Sequence, residues 1–555
     1  MKSILIFTTL VFITGPSFAL VDMNNANYSN TWTDLQVPGG GFDLKVIRAY
    51  KSRTLYNGIF GFGWCSEFET KLTSTPEGGV KINECGDGLE VYYTTREISK
   101  KDVETTVNNI LLKLKEKPQA ATSNAYWNGV RKKLLKDIRL RENYARNNGI
   151  QIEVPKNVKL MANGLEVEHV ILEKEYYTRY LGDGSMQRYD LNGRLTHMYN
   201  KTGQFLRFTY KDDLLIEVTD DNQRKLNLKY FHNKKVQKIT GPNGLVSEYK
   251  YSETEDLIWN KNAWAKSDSE VYTYEYNDYH NLVKVTWPDK TFISIKYDNQ
   301  KDWVLTFTDR DKCIENYKYE ASADSPNLHY WSTVTKTCGK DITATNKYEF
   351  WHKELSTGQT VLSRVRSTVN SQTKDITYSD NIGKPTKIVT NDIETNYVYY
   401  PNGLVKTKSS QKEKQDFEYQ KEFKKISKVV TVKFDQKGKA VFKKTSNYKY
   451  DKNGNLYYAE NSEGKKINIT YDLGGRIKTI VDNSKMIVEL EYEDKFGKPT
   501  QVTKVGAGTI NIAYGQNGQI IKVESKQGPI LATKIAGTFN SLLEILAPAS
   551  QEMFD

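Results

Sequence analysis

The side chains of this sequence best suited to chemistry are six histidines, four cysteines and a recurring set of aspartates. His169, His197, His232, His280, His329 and His352 are scattered, with no two at metal-ligand spacing and no HExxH. GxSxG and a glycine-rich phosphate loop are also missing. Asp190, Asp298, Asp451 and Asp472 each follow a tyrosine and stand just before a turn. A row of carboxylates suits metal binding or acid–base work. An Asp before a turn more simply caps its own backbone through an Asx-type hydrogen bond, and that is the expectation here. A glycan-acting enzyme would need two carboxylates paired across a groove, which linear spacing does not place. The sequence therefore predicts no catalytic residue, no cofactor and no metal.

The cysteines fall into two local pairs, Cys65 with Cys85 and Cys313 with Cys338. No CxxC and no Cys/His spacing points to zinc. Four thiols allow three pairings, and the local one is expected because adjacent strands bring such positions together. Disulfides belong to an oxidising compartment. Residues 1–19 agree with that: Lys2 supplies a positive start, Ile4 to Ile13 an apolar run, and Ser17-Phe18-Ala19 a small-residue cleavage site. The expectation is a signal peptide removed after Ala19 and a product in the periplasm, at the cell surface or outside the cell. No later segment approaches the roughly 20 apolar residues that span a bilayer.

The elements that must position these residues are set by a ruler. Tyr450, Tyr471, Tyr492 and Tyr514 recur at intervals of 21, 21 and 22 residues. The same interval links Tyr189, Tyr210, Tyr230 and Tyr251 (21, 20 and 21), Tyr276 to Tyr297, and Tyr378 to Tyr399. A period near twenty marks a repeat architecture, each unit burying its apolar face against its neighbours. Apolar residues sit two and four positions before the tyrosine: Ile467 and Ile469, Val488 and Leu490, Ile510 and Ile512, Leu206 and Phe208, Leu226 and Leu228, Ile293 and Ile295. That alternation reads as a half-buried strand whose tyrosine closes the inward face. An Asn/Asp/Gly turn and a second strand follow. Mainly β structure is predicted, an antiparallel strip of hairpins over 150–530 that curls into a shell or solenoid. The spacing lapses over 252–275 and 320–360, where Trp259, Trp264, Trp331 and Trp351 appear. These stretches read as longer loops or degenerate units. The tryptophans are expected to be buried, with stacking on sugar rings as the alternative.

Residues 20–95 form a distinct N-terminal module. Arg48-Ala-Tyr50-Lys-Ser52 lies on a predicted strand that leads into Gly58-Ile-Phe-Gly61-Phe-Gly63-Trp64. Glycines alternating with aromatics let backbones approach closely while rings cover the gap. RxYxS, then GxFGxGW, then YD units of about 21 residues together resemble the RHS/YD-repeat proteins of bacteria. The resemblance implies a spiralling β-strip preceded by a characteristic N-terminal domain. Many relatives also release a C-terminal toxin inside a closed shell by self-cleavage at a DPxG-type motif. None of the 13 prolines here follows an aspartate, so the resemblance does not extend to the protease or to toxin delivery.

Residues 96–149 break the strand pattern. Val103, Val107, Ile110, Leu111 and Leu114 line one face of a helix, and Trp127, Val130, Leu134, Ile138 and Arg141 a second, predicting an inserted helical hairpin. It holds 13 Lys/Arg against 6 Asp/Glu, so +7 of the net +12 is local, and the charge does not argue for nucleic acid. A solvated outer face is favoured over a surface for an acidic partner. Over 531–555, Leu531, Ile535, Phe539, Leu542 and Leu546 fit an amphipathic helix that caps or plugs the shell, with Phe539 and Leu542 as anchors. Two roles follow: an exported, non-enzymatic scaffold or surface protein contacting a glycan or another cell, or a carrier whose β-shell encloses its own tail or another polypeptide.

Overall fold

The computed structural model describes residues 20–526, other than 38–41, 86–89, 96–98, 118–122, 151–152, 163–164, 183, 201–202, 265–267, 356–359, 381–382, 473–474, 483–486, 494–497 and 515–519, together with 528, 531 and 535. Among the described residues, thirty-six strands from Lys71–Ser74 to Ile520–Ser525 form one sheet in which each strand pairs antiparallel with the next in sequence. The strip turns back on itself near its start, where Lys71 bridges Arg194 and the Leu72 N–H donates to the Gly193 carbonyl.

The ruler has a backbone cause. All twelve tyrosines of the predicted ladder sit immediately after a register shift, as between Thr209 and Tyr210, Lys449 and Tyr450, and Thr470 and Tyr471. A β-bulge bends its strand and sharpens the right-handed twist. One bulge per repeat therefore makes a flat meander curl. Ahead of each bulge the alternating residues turn inward, and Ile467, Ile469, Val488, Leu206, Phe208, Leu226, Leu228, Ile293 and Ile295 are buried. Leu490, Ile510 and Ile512, near the end of the strip, are only half-buried.

The N-terminal stretch contributes to three sheets, the smallest a pairing of Asn57–Gly58 with Gly61–Phe62. Strands Asn27–Val37, Leu44–Lys51 and Trp64–Ser66 belong to a separate four-stranded sheet, while Lys71–Ser74, Val80–Asn83 and Glu90–Thr94 join the long strip. One apolar cluster unites that small sheet with the strip as far as Tyr317, and a second runs from Val405 to Val488.

Three helices rather than two fill the insertion: α1 (Lys100–Lys115), α2 (Asn124–Lys136) and α3 (Ile138–Asn147). The expected second helix breaks at Asp137, whose backbone is extended and whose side chain accepts the Leu140 N–H at 2.9 Å. An N-cap in mid-run splits one amphipathic stripe into two helices. Arg141, expected on the apolar face, is buried in an ion pair with Glu77 at 3.1 Å. Lys81 meets Glu142 at 2.6 Å, so α3 is tied to the strip by two buried pairs.

The lapses in the ruler are strands, not loops. His329–Cys338 and Asp341–Glu354 form the longest hairpin of the strip, turning at Gly339 (φ 66°). Trp259, Trp331 and Trp351 are half-buried and lie outside the apolar clusters. Lys250, Lys347 and Arg364 lie against their rings at 4.6, 5.0 and 4.7 Å. Trp351 also stacks on His329 at 4.8 Å. Burial in the core was the wrong expectation: two-residue alternation along the strand, with Ser332 and Phe350 buried beside them, puts the Trp331 and Trp351 rings on the outward face, where cations cover them. The Trp264 side chain lies outside the described residues.

Candidate functional site

The RxYxS and GxFGxGW residues, far apart from their partners in sequence, meet inside the first part of the strip. Arg48 alternates inward along its strand with Val46 and Tyr50, and all three are fully buried. Its guanidinium binds Asp34 through Nε at 2.5 Å and Nη2 at 2.8 Å. Nη2 also donates to the Tyr274 hydroxyl at 3.2 Å and to Asn260 at 3.4 Å, while the Tyr249 hydroxyl donates to Asp34 at 2.7 Å. The Trp64 ring lies 4.5 Å from the guanidinium carbon. Burial works against the charge, but Asp34 more than restores it, and Arg48 titrates well above its usual range.

The remaining motif residues dock the module. Tyr50 accepts the Leu282 N–H at 2.9 Å and donates to the His280 carbonyl at 3.3 Å. Ser52 accepts the Tyr28 N–H at 3.0 Å, and Trp64 Nε1 donates to the Tyr276 hydroxyl at 2.8 Å. Gly61 (φ 94°) and Gly63 (φ 75°) are positions that no larger residue suits: a Cβ at Gly61 would lie 2.4 Å from the Glu255 carbonyl oxygen, and one at Gly63 2.5 Å from the Tyr50 ring. Glu69 braces the same loop, accepting the Ile59 and Ser66 N–H groups and the Tyr56 hydroxyl. Burial pushes its carboxyl up to about 7. This constellation is a closed latch whose polar groups face one another; its chemistry is cohesion.

A second periodic device runs along the strip. The Tyr210, Tyr230, Tyr251, Tyr297, Tyr471, Tyr492 and Tyr514 hydroxyls each donate to the main-chain carbonyl fifteen residues upstream, at 2.6 to 3.0 Å. Tyr399 and Tyr450 reach Pro385 and Ile426 in the same way. In most repeats the accepting residue is the one paired with the previous tyrosine at its bulge, as Leu456 is with Tyr450. Tyr189, at the start, donates to Gln187, and Tyr378 follows its bulge half-buried. Burial raises the Tyr210, Tyr230, Tyr251, Tyr297, Tyr450, Tyr471, Tyr492 and Tyr514 phenols, Tyr471 and Tyr492 to about 12, so they remain protonated donors near neutrality. The YD aspartates are turn caps: Asp190 and Asp472 each accept the N–H and the guanidinium Nε of the arginine four residues on. Those arginines, Arg194 and Arg476, lie over the next tyrosine ring at 5.2 and 4.8 Å. Sequence reasoning missed the hydroxyl bonds and these arginines. The retention of Tyr rather than Phe, and Arg four residues after Asp, were the available signals.

Cys65 is bonded to Cys85 and Cys313 to Cys338, closing separations of 20 and 25 residues. His280 meets Asp256 at 2.9 Å and His329 meets Glu349 at 2.9 Å. Among the described residues, no three His, Cys, Asp or Glu side chains converge on a metal position. None of the described helices is long and apolar enough to cross a membrane. Leu531 and Ile535 are helical and buried, whereas Phe539 and Leu542 lie outside the described residues.

Bulged YD hairpins in an unbroken antiparallel strip, latched onto a buried N-terminal module, define a β-shell scaffold. A family model described as Teneurin YD-shell matches residues 182–348, and one described as a domain of unknown function (DUF6531) matches 19–93. Over residues 182–348 the repeat region is thus similar to the YD-shell family. No curated protein matches it. Among solved structures, it is similar to TcdB2-TccC3-TEV at 10% identity and a TM-score of 0.42, over 91% of this chain and 28% of that one. The Tc holotoxin pore of Photorhabdus luminescens matches at 10% identity and a TM-score of 0.32, over 88% of this chain and 31% of that one. The chain thus spans less than a third of the length of each.

Proposed function

We propose that this protein is an exported, non-catalytic RHS/YD-repeat scaffold whose outer face contacts a glycan or another cell at the cell surface. The observation that carries this reading is the latch: the N-terminal module occupies the inward face of the strip around Tyr249, Tyr274 and Leu282 with the chain's own side chains. Most of its polar groups are spent on one another, as Arg48 Nε and Nη2, Asp34, Tyr249, Tyr50 and Trp64 are. The leader-like residues 1–19 and the two disulfides support export. The test is expression of the full chain with N-terminal sequencing and protease shaving of intact cells. A mature start at Leu20 and cleavage by external protease support the reading; Met1 retained on a cytosolic protein overturns it. Labelled protein applied to a glycan array and to whole cells then decides the partner.

A second reading, enclosure of a polypeptide, is favoured by one observation. The inward residues Leu490, Val502, Ile510 and Ile512 are half-buried, whereas their counterparts Ile467 and Val488 are fully covered. An apolar concave face left partly open suits a polypeptide occupant. A peptide that co-purifies and resists protease until the shell is denatured would select this reading over the first.

A further inference from the structure

The back of the N-terminal sheet bounds a cavity that the latch does not use. Ile47 and Ala49 alternate with the buried Val46, Arg48 and Tyr50, so they face away from the latch. They look across a space of about 500 Å³ to Leu181, Gln187 and Met198 on the first repeat strands. That volume lies within the range of small-molecule sites. Its apolar walls, Ile47, Val91, Leu181 and Met198, are all half-buried, so a ligand would remove further apolar surface from water.

The charged lining has one sign in excess. Arg179 is almost fully buried, and its terminal nitrogens are engaged by Glu84 at 2.7 Å, Gln187 at 3.0 Å and Glu168 at 3.3 Å. Glu67 is a third lining carboxylate, and among the described residues its side chain has no hydrogen-bond partner. Burial raises its carboxyl above the usual range and nearby Lys45, which makes no ion pair with it, offsets part of that, so a second cation at this carboxylate would favour the charged form further. Glu84 and Glu168 are committed to Arg179, which leaves Glu67 as the lining carboxylate able to meet a cation. Such a cation needs an apolar stem to fill the rest of the space.

We propose that this cavity binds an organic ammonium ion, its charged head at the Glu67 carboxylate and its apolar stem along Ile47, Val91, Leu181 and Met198. A free alkylamine and a lysine side chain both carry that chemistry. The test is calorimetric titration of the full chain with n-hexylammonium and, separately, with Nα-acetyl-lysine amide; hexanoate and hexanol are the controls. Saturable binding of either cation at one site, with hexanoate inert and hexanol weaker, is expected, and the cation that binds more tightly identifies the source. Glu67→Gln, which keeps the side-chain shape, should weaken binding about tenfold or more, the equivalent of about 1.4 kcal/mol. Lys45→Gln removes the competing charge from a half-exposed position and should tighten it. Failure of both cations to bind, hexanoate binding as well as hexylammonium, or unchanged affinity in Glu67→Gln with Lys45→Gln also silent, overturns the proposal.

Discussion

The Tyr471 hydroxyl donates to the main-chain carbonyl of Leu456 at 2.7 Å, joining one repeat to its predecessor across fifteen residues. Leu456 is itself paired with Tyr450 at the preceding bulge, and the Tyr450 hydroxyl reaches back to Ile426. Such rungs tie neighbouring repeats by side chain as well as by sheet. Tyr471→Phe leaves the ring in place and removes only the bond, so it should cost about 1 kcal/mol. Hydrogen exchange should quicken across Leu456–Asn461 and Lys466–Tyr471 while distant strands stay protected. Unchanged exchange would show that the ring alone holds the repeat.

Asp34 and Arg48 should behave as a unit. Asp34→Asn keeps the shape but leaves a fully buried guanidinium without its counter-charge. Loss of one partner from a buried pair typically costs about 3–5 kcal/mol. Because Tyr249, Tyr274 and Asn260 bind the same two residues, the N-terminal module should undock. Trypsin would then cut within residues 44–66 at rates at which the native protein is intact.

The pH dependence follows from Glu69. Its carboxyl is raised from 4.5 to about 7 by burial, so between those values the folded protein holds a proton that the unfolded chain has released. Stability from this group is fully present below about 4.5 and is lost as the pH climbs through about 7. The whole change amounts to about 3 kcal/mol at most. Thermal melts should show wild type losing ground to Glu69→Gln across that window; parallel curves would place the ionisation elsewhere.

Cys313→Ser with Cys338→Ser removes a bond that closes a separation of 25 residues. The chain-entropy account values such a closure at about 3 kcal/mol. The loss should be local, since the bond staples the ends of two paired strands, Ile314–Ala321 and His329–Cys338. Urea unfolding followed by tryptophan fluorescence should shift in its Trp331 and Trp351 component. Addition of reductant to wild type should reproduce the change.

The strip was legible because its period and alternation are one-dimensional. Tyr471 and Ile469 announce a strand and its inward face without reference to any distant residue. The motif around Arg48 could be seen as a unit, but not its partners: Tyr249 and Tyr274 lie more than two hundred residues away and carry the same ladder pattern as tyrosines with other tasks. Asp137 was hidden by a continuous apolar stripe, in which one capping side chain outweighed the periodicity on either side. Trp331 and Trp351 were misplaced for a related reason. Their size suggested the core, whereas strand parity put them outward, where Lys347 and Arg364 cover the rings. The Glu67 cavity left no sequence trace, because its walls come from many separate segments between Ile47 and Met198.

The one-bulge, one-rung repeat also fixes how the strip would answer to force. Pulled from its C-terminal end, it would not shear as a whole. Strands would peel hairpin by hairpin, each step parting one tyrosine rung and paying out one repeat of chain. The Cys313–Cys338 bond would hold back the 25 residues it encloses, shortening the released contour by about 85 Å at ~3.4 Å per residue. Peeling would arrest where the strip meets the Arg48 latch, since there the load passes to side chains from several strands at once. A molecule of this design resists tension by a graded series of small yields with a firm stop, a mechanical profile written into the spacing of its tyrosines.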